Sequence, residues 1–235
     1  MARITRKELK SDKFALEVEH GLSFFEEHQQ EIIRYGAIVL AIVAILFAVR
    51  TYRGHQAALR EQTLDRAMTI QETGVGPPPQ GETSLSTFPT EQVKDQAALK
   101  AFADVKSKYP GSNEADIAEY YIASIYADQG NLAEAEKHFQ QAAQQGNERY
   151  ASLAKLSLGE VYFAEGKADL AEKTLHDLAA HPTLFVSPDQ ANMALARGIM
   201  ATKPAEARKI LESLRNRESA VSQVAVNLLG QMPSQ

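Results

Sequence analysis

One continuous apolar run interrupts an otherwise mixed pattern of apolar and polar positions. Residues 35–49 read YGAIVLAIVAILFAV, and an arginine flanks the run at each end. A helix that crosses a hydrocarbon core of about 30 Å needs roughly 20 apolar residues. Ile32 and Tyr52 extend the run toward that length, with tyrosines near both ends. A core helix in water normally keeps a polar face, which this run lacks. The pattern therefore predicts a transmembrane helix over 32–52.

A cleaved signal peptide is the main alternative for the apolar run. Such a peptide has its charged segment directly before the apolar stretch and a small-residue cleavage site after it. Here thirty-four residues precede the run, many of them acidic, and no such site follows. We therefore predict an uncleaved anchor.

The tail over 1–31 is predicted to be cytoplasmic. Six Lys or Arg lie in the first thirty-four residues, against four in the twenty residues that follow Val49. This bias favours a cytoplasmic N-terminus, because the cytoplasmic segments of membrane proteins carry an excess of Lys and Arg. Val18, Leu22 and Phe25 lie at helical spacing in the tail, which indicates a helix at the membrane interface.

Beyond the anchor, apolar positions recur with a fixed period. The segments LAEAEKHF at 132–139, ADLAEKTL at 168–175 and PAEARKIL at 204–211 resemble one another, and their aligned alanines are 36 residues apart (171 − 135 and 207 − 171). A constant period of roughly 20–50 residues is typical of a solenoid built from repeated helical units. A single helical hairpin does not account for it.

Residues within this period resemble the tetratricopeptide repeat, in which W-x2-L-G-x2-Y precedes an Ala, a Phe and a Pro. A small residue lets the two helices approach closely, and a later glycine ends the first helix in a left-handed conformation. The first repeat has Ile122, Ala123, Tyr126, Gly130, Ala135, Phe139 and Ala142, and the second has Leu158, Gly159, Tyr162, Gly166, Ala171, Leu175 and Leu178.

Weaker matches extend the array in both directions. Residues 52–71 and 90–109 predict an earlier helix pair, joined by a Gly- and Pro-rich loop at 72–89 that we expect to be mobile. A third copy begins near Pro188 with Gly198 where Tyr is expected, and 220–229 predicts a covering helix. The predicted fold is all-α, with an N-terminal transmembrane helix followed by a tetratricopeptide-like α-solenoid of about three to four helical hairpins over 53–235.

Composition and motifs favour protein binding over catalysis. The net charge is −5, cysteine is absent, the six histidines are scattered, and no phosphate-binding, nucleophile-elbow or zinc-protease motif occurs. A lone His on a polar helix is usually a surface residue, and carboxylates that alternate with Lys usually face solvent. We therefore predict no enzyme activity, no catalytic, cofactor-binding or metal-binding residues, and no nucleic-acid or small-molecule partner.

The first helices of the repeats line the concave side of such a solenoid. An apolar concave surface suits an extended segment or a helix of a partner protein. The alternative is that the final helix or the 72–89 loop fills this groove. The inward positions predicted to bind protein are Tyr120, Ser124, Leu156, Glu160, Phe163, Asn192, Ala196 and Met200.

The anchor itself offers a second surface for close helix packing. Its alanines follow a 4-3-4 spacing and form one stripe of small residues, which is Ala37, Ala41, Ala44 and Ala48.

The layout of tail, anchor and repeats resembles the ancillary SecYEG translocon subunit family of bacterial inner membranes. The resemblance is carried by Phe24-Phe25, by the run that starts at Tyr35-Gly36, by the segment RGHQ at 53–56, and by the repeats. It implies a periplasmic repeat domain beside the translocon that contacts emerging polypeptides or periplasmic chaperones. An assembly or scaffold factor for another envelope complex, such as a cell-division or outer-membrane machine, is the alternative.

Overall fold

The computed structural model describes residues 6–76, 87–217 and 220–232, with side chains described at 30–31 and from 33 onward. Over these ranges the chain is all-helical, as predicted, apart from one isolated β-bridge. It forms two compact units, residues 1–58 and 59–235. The tail positions Val18, Leu22 and Phe25 are helical, but their side chains lie outside the described residues, so their place at a membrane interface remains a prediction.

The first helix, α1 (Arg6–Glu72), contains the apolar run. The stretch from 33 onward is long and apolar enough to cross a membrane, and none of its most apolar window is buried by the protein. Leu40 is 70% exposed and Phe47 is 69% exposed. Within the unit that contains them, these side chains have no protein neighbours to bury them.

The second unit begins at Leu59, within α1, and continues with eight further helices over its described residues. Helices α3, α5 and α7 are the first helices of three pairs, and α3 packs against α5, which packs against α7. Gly130 and Gly166 have φ values of +72° and +75°, so both end a first helix in the left-handed region, as predicted. The helices are α2 (Glu91–Lys108), α3 (Asn113–Asp128), α4 (Leu132–Gln145), α5 (Glu148–Ala164), α6 (Ala168–Ala180), α7 (Pro188–Ile199), α8 (Pro204–Arg215) and α9 (Ser222–Gln231).

A buried apolar core runs through this unit from the end of α1 to α9. Ala67 of α1 packs with Phe102 of α2 and Ile122 of α3 in its first section. Phe139 and Leu175 then occupy the equivalent place in the next two pairs, where they are 2% and 0% exposed. Ala225 of α9 is fully buried in the last section. Full burial of a Phe, Leu or Ile side chain contributes about 1.5–3 kcal/mol, so this core accounts for much of the stability of the unit.

Close approach between paired helices depends on the glycine of the repeat pattern. A Cβ added at Gly159 would lie 2.6 Å from Cγ of Leu175 in α6. Gly198 in α7 stands where the repeat pattern expects Tyr. A glycine is needed there because a Cβ would overlap the ring of Phe163. The Phe163 ring of α5 therefore fills the space that the missing side chain leaves.

The period also appears in the ion pairs that join successive second helices. Lys167 Nζ lies 2.6 Å from Glu136, and Lys203 Nζ lies 2.7 Å from Glu172. Both lysines occupy the N-cap position of a second helix, where no side chain caps the helix. Each lysine thereby links the start of one second helix to the side of the preceding one.

A buried carboxylate connects the first three helices that follow α1. Glu119 of α3 is only 4% exposed, and its two oxygens contact Lys106 of α2 and, at 2.7 Å, Nδ1 of His138 of α4. The ring of Tyr126 stacks on His138 at 5.5 Å. The expectation that the histidines are surface residues is wrong for His138. It is half-buried, and its ring contacts the buried Glu119 carboxylate.

The ends of the predicted 72–89 loop are joined to each other. Val75 and Phe88 form an isolated bridge, in which the Gly76 N–H donates to the Phe88 carbonyl at 3.0 Å and the Phe88 N–H donates to the Gly74 carbonyl at 3.1 Å. Residues 77–86 lie outside the described residues, so the predicted mobility of the loop remains a prediction.

Candidate functional site

The predicted protein-binding positions lie on three helices that are neighbours in the repeat unit. Tyr120 of α3, Leu156 of α5 and Asn192 of α7 are spaced by the 36-residue period and so share one register. Ser124, Glu160 and Ala196 form the next row by the same spacing. The contacts of each side chain decide which of these positions can meet a partner.

Tyr120 is half-buried and is the centre of an aromatic group. Its ring lies 5.7 Å from Phe139, 5.7 Å from Tyr121 and 5.5 Å from Tyr150. The Ser124 hydroxyl donates to the Tyr120 carbonyl at 3.1 Å and so is satisfied within its own helix. Tyr120 therefore joins α3, α4 and α5, and only part of its ring is left for a partner.

Leu156 and Phe163 mainly hold α5 against its neighbours. Both are half-buried and pack against buried clusters that include residues of α6 and α7. Phe163 covers Gly198, and Ala196 of α7 is fully buried. The middle of the predicted groove is consequently filled by side chains that stabilise the fold.

Asn192 and Met200 lie apart from this group. Asn192 lines a separate recess of about 320 Å³ together with residues of α6 and α8, including His176 and Ile210. Met200 ends α7 and packs on the last section of the core. The structure therefore does not bring these two residues together with Tyr120.

Glu160 is exposed at the surface, yet its ionisation is disfavoured. Burial among surrounding protein atoms raises the pKa of Glu160, and the nearby charge of Arg197 opposes this shift. Among the predicted protein-binding positions, all of which the structure describes, Glu160 alone is exposed, so it is the one most accessible to a partner.

A surface of six residues includes Tyr120, but its other five members were not predicted from the sequence, and we call it the Arg149 surface. The Arg149 guanidinium lies 5.6 Å from the ring of Tyr150 and 5.6 Å from the ring of Phe185. Arg149 and Phe185 are 36 residues apart (185 − 149), so the period was the signal that could have revealed them. The surface consists of Tyr120, Tyr121, Arg149, Tyr150, Leu184 and Phe185.

Tyr121 connects this surface to the first helix pair. Its ring stacks on Phe102 at 5.2 Å. Burial raises the pKa of Tyr121, the neighbouring Tyr150, Tyr120 and Glu72 raise it further, and Arg149 lowers it. Tyr121 therefore remains a neutral hydroxyl near neutral pH and can both donate and accept a hydrogen bond.

The alanine stripe Ala37, Ala41, Ala44 and Ala48 is exposed along α1. Exposure leaves it available for packing against another helix, which remains a prediction. Within the described residues no group of His, Cys, Asp or Glu is arranged to hold a metal ion.

A family comparison identifies the repeats. Residues 23–188 match the model of the tetratricopeptide repeat-like domain, which is well over half of the chain. The chain belongs to the tetratricopeptide repeat-like family. No curated protein and no solved structure gives a significant match. Tetratricopeptide repeat-like domains are generally protein-interaction modules and not enzymes, so the exposed positions above are interpreted as candidate protein contacts.

Proposed function

We propose that this chain is a single-pass protein of the bacterial inner membrane whose periplasmic repeat unit binds polypeptides beside the protein translocon. The observation that carries the proposal is the range of the family match. It begins at residue 23, before the apolar run, and ends at 188, so one domain description covers the anchor and the repeats together. An ancillary translocon subunit requires this combination of an anchor and a binding unit.

The anchor part of the proposal rests on exposed apolar surface. About twenty apolar residues in a helix are sufficient to cross a bilayer. The apolar side chains that the protein leaves exposed would be shielded from water by the lipid, which is favourable. The positive charge of the tail favours an orientation with a cytoplasmic N-terminus and periplasmic repeats.

The binding part of the proposal rests on the first helices of the repeats. Glu160 and the Arg149 surface offer exposed groups on α3, α5 and the turn before α7. Emerging polypeptides and periplasmic chaperones are the partners that suit such a surface next to a translocon.

Protease accessibility tests the orientation. In spheroplasts, external protease should digest the repeat unit while an epitope tag added before Met1 stays protected, and lysis should expose both. A repeat unit that survives external protease until lysis would contradict a periplasmic location.

Co-purification in mild detergent tests the partner. We expect the chain to recover the channel subunits of the translocon, and a variant with the apolar run exchanged for an unrelated transmembrane helix controls for general membrane carry-over. Reproducible recovery of cell-division or outer-membrane assembly proteins without the channel would instead support the scaffold alternative.

A further inference from the structure

Leu184 is an exposed residue in a turn that is held by hydrogen bonds. Leu184 is 91% exposed, the highest exposure among the large apolar residues of the repeat unit. The Thr183 hydroxyl accepts the N–H groups of Phe185 at 3.3 Å and Val186 at 3.1 Å, and the Thr183 N–H donates to the Val186 carbonyl. Val186 is fully buried and anchors the turn. The fold thus holds Leu184 in water, although burying it would be favourable by about 1.5–3 kcal/mol.

Next to this turn lies a cation with two aromatic neighbours and no carboxylate partner. The Arg149 guanidinium lies 5.6 Å from the ring centres of both Tyr150 and Phe185, and it forms no ion pair within the part of the chain that the structure describes. Contact with aromatic rings occupies the faces of a guanidinium and leaves its edge N–H donors available. Such a pre-positioned guanidinium suits a carboxylate, which it can bind with two parallel hydrogen bonds.

The hydroxyl groups of Tyr120, Tyr121 and Tyr150 add further donors. Among the described residues none of the three makes a hydrogen bond to protein. A surface that combines these hydroxyls with Arg149 is complementary to carbonyl and carboxylate oxygens. The backbone of an extended polypeptide offers a row of such carbonyls, and its side chains can meet Leu184 and Phe185.

We propose that the Arg149 surface binds an extended polypeptide segment in which an acidic side chain lies beside apolar ones. This inference rests on the proposed function and specifies which polypeptides the repeat unit selects. Charge complementarity favours this occupant over an anionic lipid surface, which a cluster of several cations would bind, because this surface presents a single arginine among aromatic rings. A second copy of the chain is an alternative occupant that the experiment below separates.

Peptide binding to the full chain in detergent tests the inference. The probe is a fluorescent, amidated peptide of about ten residues that alternates Leu and Ser and carries a central Asp, and its matched control carries Lys there. The Asp peptide should bind about tenfold more tightly than the Lys peptide, because Arg149 attracts the Asp side chain and repels the Lys side chain. Arg149→Gln should abolish this preference, and Arg149→Lys should retain part of it. Lys155→Gln, an exposed cation of the same helix, should leave it unchanged.

Leu184 has its own matched control. Leu184→Ser should weaken both peptides about fivefold, while Leu170→Ser on the side of α6 should not, although Leu170 is also exposed. All variants should keep the wild-type circular dichroism spectrum and thermal midpoint, because the changed side chains are at the surface.

Three results would overturn the inference. The first is equal affinity for the two peptides, and the second is an unchanged preference in Arg149→Gln. The third is a loss of self-association or of binding to anionic vesicles in these variants without any change in peptide binding. If crosslinking in cells still joins the repeat unit to translocating polypeptides, the proposed function stands while this surface is excluded as its selective site.

Discussion

The same kinds of apolar side chain have opposite environments in the two units of this chain. Leu40 and Phe47 of the apolar run are 70% and 69% exposed, whereas Phe139 and Leu175 of the repeats are 2% and 0% exposed. The two units differ in the residues that separate the apolar positions along each helix. Repeat helices carry polar residues on one face, so the other face can be buried against a neighbour. The run over 35–49 is apolar on every face, so one neighbouring helix would leave most of its surface exposed to water. A helix of this kind is long and apolar enough to cross a membrane.

Charges placed in the run should break the anchor and leave the repeats intact. Val43→Arg with Leu46→Arg adds two charges, each of which costs about 2.5–3.5 kcal/mol at the centre of a membrane helix. We expect the doubly substituted chain to leave the membrane fraction on carbonate extraction. The matched control is Leu170→Arg with Val226→Arg, which changes two exposed apolar residues of the repeats and should stay in the membrane. Retention of the first variant would show that the run is not an anchor.

Truncation in the repeat core should have the reverse effect. Phe139→Ala removes a side chain that is 2% exposed and should lower the free energy of unfolding by about 3–5 kcal/mol. Urea titration in detergent, followed by circular dichroism, measures this loss, and carbonate extraction should find the variant still in the membrane. Leu170→Ala is the exposed control. A stability loss as small as that of the control would mean that Phe139 is not part of a packed core.

Removal of the buried carboxylate should also destabilise the repeats. Glu119→Gln leaves Lys106 without its partner and deprives His138 of a charged neighbour, and breaking such a buried pair costs about 3 kcal/mol. The same urea titration measures the effect. Glu134→Gln, which alters a more exposed carboxylate near the same histidine, should cost much less. Adding Lys106→Met to Glu119→Gln should recover part of the loss, and failure to do so would argue against the pairing.

The smallest expected effect is that of replacing Glu160. The ionised Glu160 side chain should lower the stability of the folded chain. Its pKa is raised in the folded chain, so the folded state holds the proton more tightly than the unfolded state does. Stability should therefore fall as the pH rises from the ordinary glutamate pKa through the raised one. Glu160→Gln should raise the free energy of unfolding at neutral pH by less than about 1 kcal/mol, and it should have no effect in acid. Glu212→Gln is the exposed control, and equal behaviour of the two variants would exclude a desolvated Glu160.

Helix positions and the repeat were predictable because they depend on local signals. Thr90 caps α2 by accepting the Val93 N–H, and the left-handed glycines follow the pattern at the predicted positions. The contacts across helices were not predictable in the same way. Phe163 was predicted to line the groove, but its ring packs over Gly198. Nothing in the sequence marks Glu119 as the carboxylate that Lys106 and His138 contact. Such pairings depend on side chains far apart in sequence, and no periodic pattern reports them.

The Arg149 surface illustrates the boundary between these cases. The spacing of Arg149 and Phe185 follows the period and was available in the sequence. Their shared contact depends on the turn that Thr183 and Val186 fix, which is a property of the folded chain. Register was therefore predictable, but the chemistry of the surface was not.

Site-specific photocrosslinking in living cells tests the central claim most directly. A crosslinking amino acid at position 160, on the first-helix face, should capture a translocating polypeptide while it is stalled in the channel. The same amino acid at position 170, on the side of α6, should capture little. Equal capture from both positions, or none from position 160 in a correctly inserted chain, would contradict the account.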